Sequence, residues 1–144
     1  MKAKSLMILY LLFVVFGCNN KKNLQTKNSP LASVVKLKAA EFLLDYEEAK
    51  NYIDINSVYG AKNQTDNLSP EQRWKKLVSF MSGSTDKKFT RQFQYYNYDI
   101  IENVHLSKAE VMFKPKSNAN MSIIYKLELR NNVWIVYEID YNNK

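Results

Sequence analysis

The chain has 144 residues, 46% of them hydrophobic and 24% charged, enough apolar material for one core and more than a disordered protein carries. Its formal charge of +7 is spread along the sequence, with Lys21-Lys22 and Lys87-Lys88 among its densest points, the distribution of a solvated surface. One cysteine excludes an internal disulfide and any multi-cysteine metal site, one histidine excludes a histidine cluster, and the isolated Gly17, Gly60 and Gly83 exclude a glycine-rich phosphate loop, so no cofactor is expected.

Met1 to Cys18 divides into a basic start with Lys2 and Lys4, an apolar run from Leu6 to Phe16, and Gly17 before Cys18. That is the pattern of a secretion signal, and the run falls short of the roughly 20 apolar residues that a helix needs to cross a bilayer. Val15, Phe16, Gly17 and Cys18 resemble the lipobox of bacterial lipoproteins. The resemblance implies a signal peptide over residues 1–17, cleavage before Cys18, a thioether lipid on its sulfur, and often acylation of the new amino group. Two or three acyl chains hold a protein stably, because each buried methylene contributes about 0.8 kcal/mol. Loss of Lys2 and Lys4 leaves a mature charge of about +5, and exposed lysines suit an anionic headgroup layer. Export makes nucleic acid an unexpected partner. Residues 18–29 read as the lipidated Cys and a polar tether with only Leu24 to bury, reaching at most about 40 Å from the bilayer. No acidic run of the kind that marks surface export follows Cys18, so the domain is expected to face the periplasm from the inner or outer membrane.

Residues 30–144 read as a single α+β domain. Ser29-Pro30 is a helix start, and Leu31, Val34, Val35, Ala39 and Phe42 recur at helical spacing, predicting a helix to about Leu44. Asp45, with Glu48 three residues on, caps a second short helix carrying Ala49, Tyr52 and Ile53, so the chain turns a sharp corner there. Asn56 to Asn67, polar and holding Gly60, reads as a loop. Ser69-Pro70-Glu71-Gln72 is a second capping box, with Trp74, Leu77, Val78 and Met81 on one face and Gly83 at the stop.

From there the period becomes alternating. Phe89 to Val104, Lys108 to Lys114, Met121 to Arg130 and Val133 to Tyr141 predict an antiparallel sheet of about four strands. Asn131-Asn132 marks a tight hairpin, since Asn tolerates the left-handed conformation. A two-residue turn pairs Leu129 with Trp134 and Leu127 with Val136, whereas a three-residue loop pairs Leu129 with Val133, and the one-residue difference flips every side chain. The two-residue turn is favoured. It leaves Val133, Ile135, Tyr137 and Ile139 as an apolar row on the back of the sheet, a contact surface for a second chain in a homodimer or for another protein.

The order of helices and then strands, with Asp45-Tyr46-Glu47-Glu48-Ala49 at the corner, Lys108-Ala109-Glu110-Val111 opening a strand and Asn132-Val133-Trp134-Ile135-Val136 near the end, resembles small exported members of the nuclear transport factor 2-like, or cystatin-like, superfamily. The resemblance spans most of residues 30–141 and implies a roll in which helices pack on a curved antiparallel sheet, with a pocket in the cone between them. Enzymes, carriers and immunity-type proteins all use that fold, which does not choose among them.

The residues offer three routes to function. Asp99, Glu102, Glu138, Asp140 and His105 are the groups available for acid and base work on a small apolar ligand, if they meet in a dry cone. Against this, alternating carboxylates on a sheet usually form a solvated face, and one His without partners is usually a surface residue. The aromatic run Phe89, Phe93, Tyr95, Tyr96 and Tyr98, together with Trp134, suits binding of a protein or ligand through the sheet face or the cone mouth, though strand propensity accounts for Tyr equally well. The leading expectation is a lipid-anchored binding or interaction module without catalytic residues; an isomerase-like enzyme and an immunity-type lipoprotein that blocks a toxin are the alternatives.

Overall fold

Ser29 opens the first helix as expected, its Oγ accepting from Ala32 N–H at 3.1 Å. The structure, a computed structural model, describes residues 29–60, 66–83, 97–118 and 120–143. Cys18, the signal and tether up to residue 28, and Phe89, Phe93, Tyr95 and Tyr96 lie outside them. Helix α1 runs Pro30–Phe42 and buries Ser33, Val34, Leu37, Ala40 and Glu41. Its buried face is thus rotated from the one that apolar spacing predicts: Val34 is buried as expected, but Ala39 and Phe42 are exposed, and a glutamate takes a core position.

The helix also stops two residues early. Leu44 adopts a left-handed φ of 57°, its N–H donating to Glu41 O at 3.1 Å, while Asp45 N–H reaches Ala40 O at 2.9 Å. This is a Schellman ending with leucine where glycine is usual. Asp45 then caps α2 (Tyr46–Ala49), its Oδ1 accepting from Glu48 N–H at 3.1 Å. The reciprocal half of the capping box is replaced, because Asp45 N–H is already committed to Ala40. The Glu48 carboxylate instead accepts from Tyr52 Oη at 2.9 Å and Asn51 Nδ2 at 3.1 Å.

The expected loop after this corner holds a helix, α3 (Ile55–Tyr59), capped by Asp54 Oδ1 on Ser57 N–H. Asn56, Ser57 and Gly60 hide it by composition; the cap three residues before Ser57 is its only local signal. Helix α4 (Pro70–Gly83) starts on the complete capping box expected, with Gln72 N–H on Ser69 Oγ at 3.2 Å and Ser69 N–H on Gln72 Oε1 at 2.8 Å.

The four strands, β1 (Tyr98–His105), β2 (Lys108–Pro115), β3 (Met121–Arg130) and β4 (Val133–Asn143), form an antiparallel meander in sequence order. With the helices packed on one face of this sheet, the fold is α+β. Asn131 and Asn132 both have positive φ, 50° and 65°, which makes the last hairpin a two-residue turn of the type whose twist matches the strands. The register follows, with Leu129 opposite Trp134 and Leu127 opposite Val136.

One departure matters for everything downstream. The register shifts between Lys126 and Leu127, so that Lys126 faces Glu138 and Tyr137 is the extra residue of a bulge. The back row expected from simple alternation is corrected by this: Val133 and Ile135 stay on it, but Ile139 crosses to lie opposite Tyr125, a core residue. Against the helices the sheet presents Ala109, Val111, Phe113, Tyr125, Leu127, Trp134 and Val136, which pack with Val34, Leu37, Ala49, Ile53, Trp74 and Val78 into one buried cluster.

Leu44 is 45% exposed in a conformation that disfavours a Cβ. Leu44→Gly should therefore raise stability by about 0.5–1 kcal/mol, relief of left-handed strain outweighing the added freedom of the unfolded chain. Urea unfolding measures it; a lower midpoint would show that Leu44 packing outweighs its strain.

Candidate functional site

Helix α4 carries two stripes. Trp74 and Val78 are buried, joined by half-buried Met81, whereas Arg73, Lys76, Leu77 and Phe80, spaced i, i+3, i+4 and i+7, form a second stripe on its outer side. Leu77, read from the sequence as a core residue, is 40% exposed and belongs to this stripe, and Phe80 is 68% exposed. The guanidinium of Arg73 braces the stripe against its neighbours: Nε donates to Asp66 Oδ1 at 2.7 Å and Nη1 to Tyr59 O at 3.0 Å. An open cleft of about 510 Å³ results, lined by Tyr59, Asp66, Leu68, Arg73, Lys76, Leu77 and Phe80. Its floor is apolar. Burial pushes the Tyr59 phenol well above its ordinary pKa, so it stays a neutral donor throughout the physiological range.

Behind the cleft a charged cluster holds α4 to α1. Glu41, 4% exposed, accepts from Trp74 Nε1–H at 2.8 Å and forms an ion pair with Lys38. The sequence signal for it is a glutamate seven residues after Val34 and four after Leu37, in the same helical stripe. Tyr46 reinforces the contact, stacking edge-on against Trp74 at 5.4 Å with its hydroxyl 2.9 Å from Ser79 Oγ.

Of the groups proposed for acid and base chemistry only Glu138 and Asp140 come together, and they do so on the back of the sheet. Asp99 and His105 stand in the rungs on the back of the sheet, six residues apart along β1 and thus about 20 Å from one another. Glu102 lies on the helix-side row but is exposed, beyond the cover of the helices. Glu138 and Asp140 are turned to the back by the Tyr137 bulge, where both pair with Lys126 Nζ, at 2.8 and 2.9 Å. The two carboxylates in turn raise the Lys126 pKa, the hydrogen bond to Glu138 being the largest cause. Among the described residues, no group of three or more His, Cys, Asp or Glu is placed to hold a metal ion.

Of the proposed aromatic contact residues, Tyr98 is half-buried at the start of β1, edge-on to Phe113 at 6.0 Å. Trp134 is 3% exposed and part of the core, so its ring offers no contact area to a partner; the hairpin register that places it opposite Leu129 puts it there. Tyr95, Tyr96 and Cys18 fall outside the described residues. Sequence reading missed the α4 outer stripe because its apolar members are only Leu77 and Phe80, and Leu77 also falls at helical spacing with Trp74, Val78 and Met81. The chain matches no family model, no curated protein and no solved structure.

The cleft wall formed by α3 is tied to the sheet by Asp54. Its N–H donates to Val136 O at 2.8 Å, and its Oδ2 accepts from Arg130 Nη1 at 2.8 Å. Arg130 is the main cause of a lowered Asp54 pKa, with the Ser57 N–H adding to it against the opposing effect of burial. A carboxylate depressed in the folded state stabilises above its unfolded pKa, near 4, and loses that contribution as pH falls through the lower folded value. Asp54→Asn keeps a good helix cap but removes the charge. It should cost about 1 kcal/mol near pH 7 and progressively less below pH 4, as measured by urea unfolding across that range. A cost that stays constant with pH would assign the effect to the cap alone.

Proposed function

We propose that this chain is an exported, lipid-anchored interaction protein that engages a partner protein through the cleft on the outer side of α4. The observation that carries the reading is the apolar floor of that cleft, with Leu77 40% and Phe80 68% exposed beside it. Exposed large apolar side chains gathered at a concave site mark recognition surfaces, because leaving them in water is costly unless a partner covers them. The lipid anchor is supported by the basic start, apolar run and Val15-Phe16-Gly17-Cys18 ending of the first 18 residues. A cystatin-like, nuclear transport factor 2-like ancestry is compatible with helices followed by an antiparallel meander. The enzymatic alternative loses its support in the scatter of Asp99, His105, Glu138 and Asp140 away from the helix-facing side of the sheet.

Two variants of the full chain separate the parts of this reading. Cys18→Ala should abolish labelling by a fatty-acid analogue and release the protein from membranes; a labelled or retained variant overturns the anchor. Phe80→Asp should leave folding and labelling unchanged while reducing recovery of the partner from a membrane extract by about tenfold or more, the scale of losing an apolar anchor residue at an interface. Equal recovery by both proteins overturns the cleft as the contact site.

A further inference from the structure

The two edges of the sheet are treated differently. The outer edge of β4 is covered where the chain between α2 and α3 runs beside it: Val136 N–H donates to Tyr52 O and Asp54 N–H to Val136 O, both at 2.8 Å, around a parallel bridge from Ile53. The outer edge of β1 has no such cover among the described residues. Residues 101 to 105 are all exposed, Ile101 by 40% and Val104 by 54%. Nor does Tyr-Asp-Ile-Ile-Glu-Asn-Val-His contain the lysine, proline or bulge that usually blunts an edge strand.

The hydrogen-bonding phase of this edge follows from its turn. His105 and Lys108 flank the two-residue connection Leu106-Ser107, which makes them a mutually bonded pair. Alternation then turns the backbone groups of Ile101 and Asn103 toward β2, and those of Tyr98, Ile100, Glu102 and Val104 outward. On the back of the sheet, register lines up Ile101, Met112 and Ile124 in a single apolar rung. The rung ends at Asp140 on the β4 side and runs off the open edge at Ile101 on the other.

We infer that β1 is a homodimerisation edge, pairing antiparallel with β1 of a second copy about a two-fold axis at Ile101. In this register Ile100 bonds with Glu102 of the other copy and Tyr98 with Val104, so every outward backbone group from 98 to 104 finds its complement. The exposed rung meets its own image, Ile101 against Ile101, giving a continuous apolar row of Ile124, Met112 and Ile101 from each protomer. Tyr98 against Val104 is an aromatic and β-branched pair of the kind that stabilises cross-strand contacts, and Asp99 meets Asn103, so no like charges stand directly opposite. A register centred one pair further along, on Glu102, would place that carboxylate against itself. Self-complementarity of this kind is what an isologous interface requires.

The pairing is tested by cross-linking in the full-length chain. Ile101 pairs with its own copy at a non-bonded position, where Cα atoms lie about 4.5 Å apart, within disulfide range. Asn103 is displaced from its copy by about 13 Å, beyond it. Under mild oxidation Ile101→Cys should give at least about tenfold more covalent dimer than Asn103→Cys or the parent chain, whose one thiol is Cys18. Ile101→Lys, an exposed change, should halve the protein mass measured by light scattering in detergent. A monomeric parent chain, or Asn103→Cys cross-linking as readily as Ile101→Cys once the parent's own Cys18 background is subtracted from both, overturns the proposal; neither readout depends on the cleft, and the light-scattering mass does not depend on the state of Cys18.

Discussion

Val136 turns both of its backbone groups to the outer edge of the sheet and its side chain to the core. Its side chain is fully buried opposite Leu127, its N–H and C=O are taken by Tyr52 and Asp54, and the next residue is the bulge. Each of these fixes a different part of the molecule. The bonds to Tyr52 and Asp54 pin the chain between α2 and α3 to the edge of the sheet, which sets where α3 begins and therefore where one wall of the cleft stands. The bulge sets which side chains of the last strand meet the helices. Had β4 continued in simple alternation from Trp134 and Val136, Glu138 and Asp140 would have followed them under the helices. Two unpaired carboxylates there would each cost several kcal/mol. One extra residue sends both to Lys126 and brings Ile139 onto the core row.

The helix layer depends on a less familiar arrangement. Glu41 is buried in the α1 stripe that packs against α4, and it is tolerated because both carboxylate oxygens are occupied, one by Trp74 Nε1–H and one by Lys38. Lys38 reaches it from one turn earlier, its side chain only 15% exposed. A buried pair of this kind contributes little net stability compared with an apolar pair of the same volume, but removal of one partner strands the other. It also fixes the rotation of α4: Trp74 has one N–H, and directing it at Glu41 turns the Arg73, Lys76, Leu77 and Phe80 stripe outward.

The sequence made legible those features that local chemistry determines. Ser29, Asp45 and Ser69 start their helices where capping predicts, and Asn131-Asn132 gives the last hairpin its turn and register, because side chain and backbone satisfy one another within four residues. What escaped depends on distant partners. The buried face of α1 is set by Trp74, 33 residues after Glu41, so apolar spacing alone chose Ala39 and Phe42 wrongly. Helix α3 is polar in composition and is held by Val136 and Arg130 through Asp54. The bulge at Tyr137 has no signature within β4 itself; only the Lys126 opposite it explains why Glu138 and Asp140 leave the core side. Trp134 was legible as a paired residue but not as a buried one, since the same register serves a partner-facing or a helix-facing ring until the helices are placed.

The fold separates the two exposed surfaces proposed for recognition. The cleft belongs to α3 and α4, and α3 is fastened to the β4 side of the sheet by the Ile53 bridge and the Asp54–Arg130 pair. The open edge belongs to β1, three strand spacings away, or about 14 Å across the sheet. A strand added at β1 extends the sheet in its own plane and away from β4, so it neither covers the cleft nor disturbs the bonds that position it. A two-fold axis at that edge would carry the clefts of two protomers to opposite ends of an eight-stranded sheet. Binding at one cleft would then leave the other geometrically free, and a dimer would present two sites to a partner with repeated or paired contact segments. Affinity for such a partner would rise through linkage of the two events rather than through a larger interface.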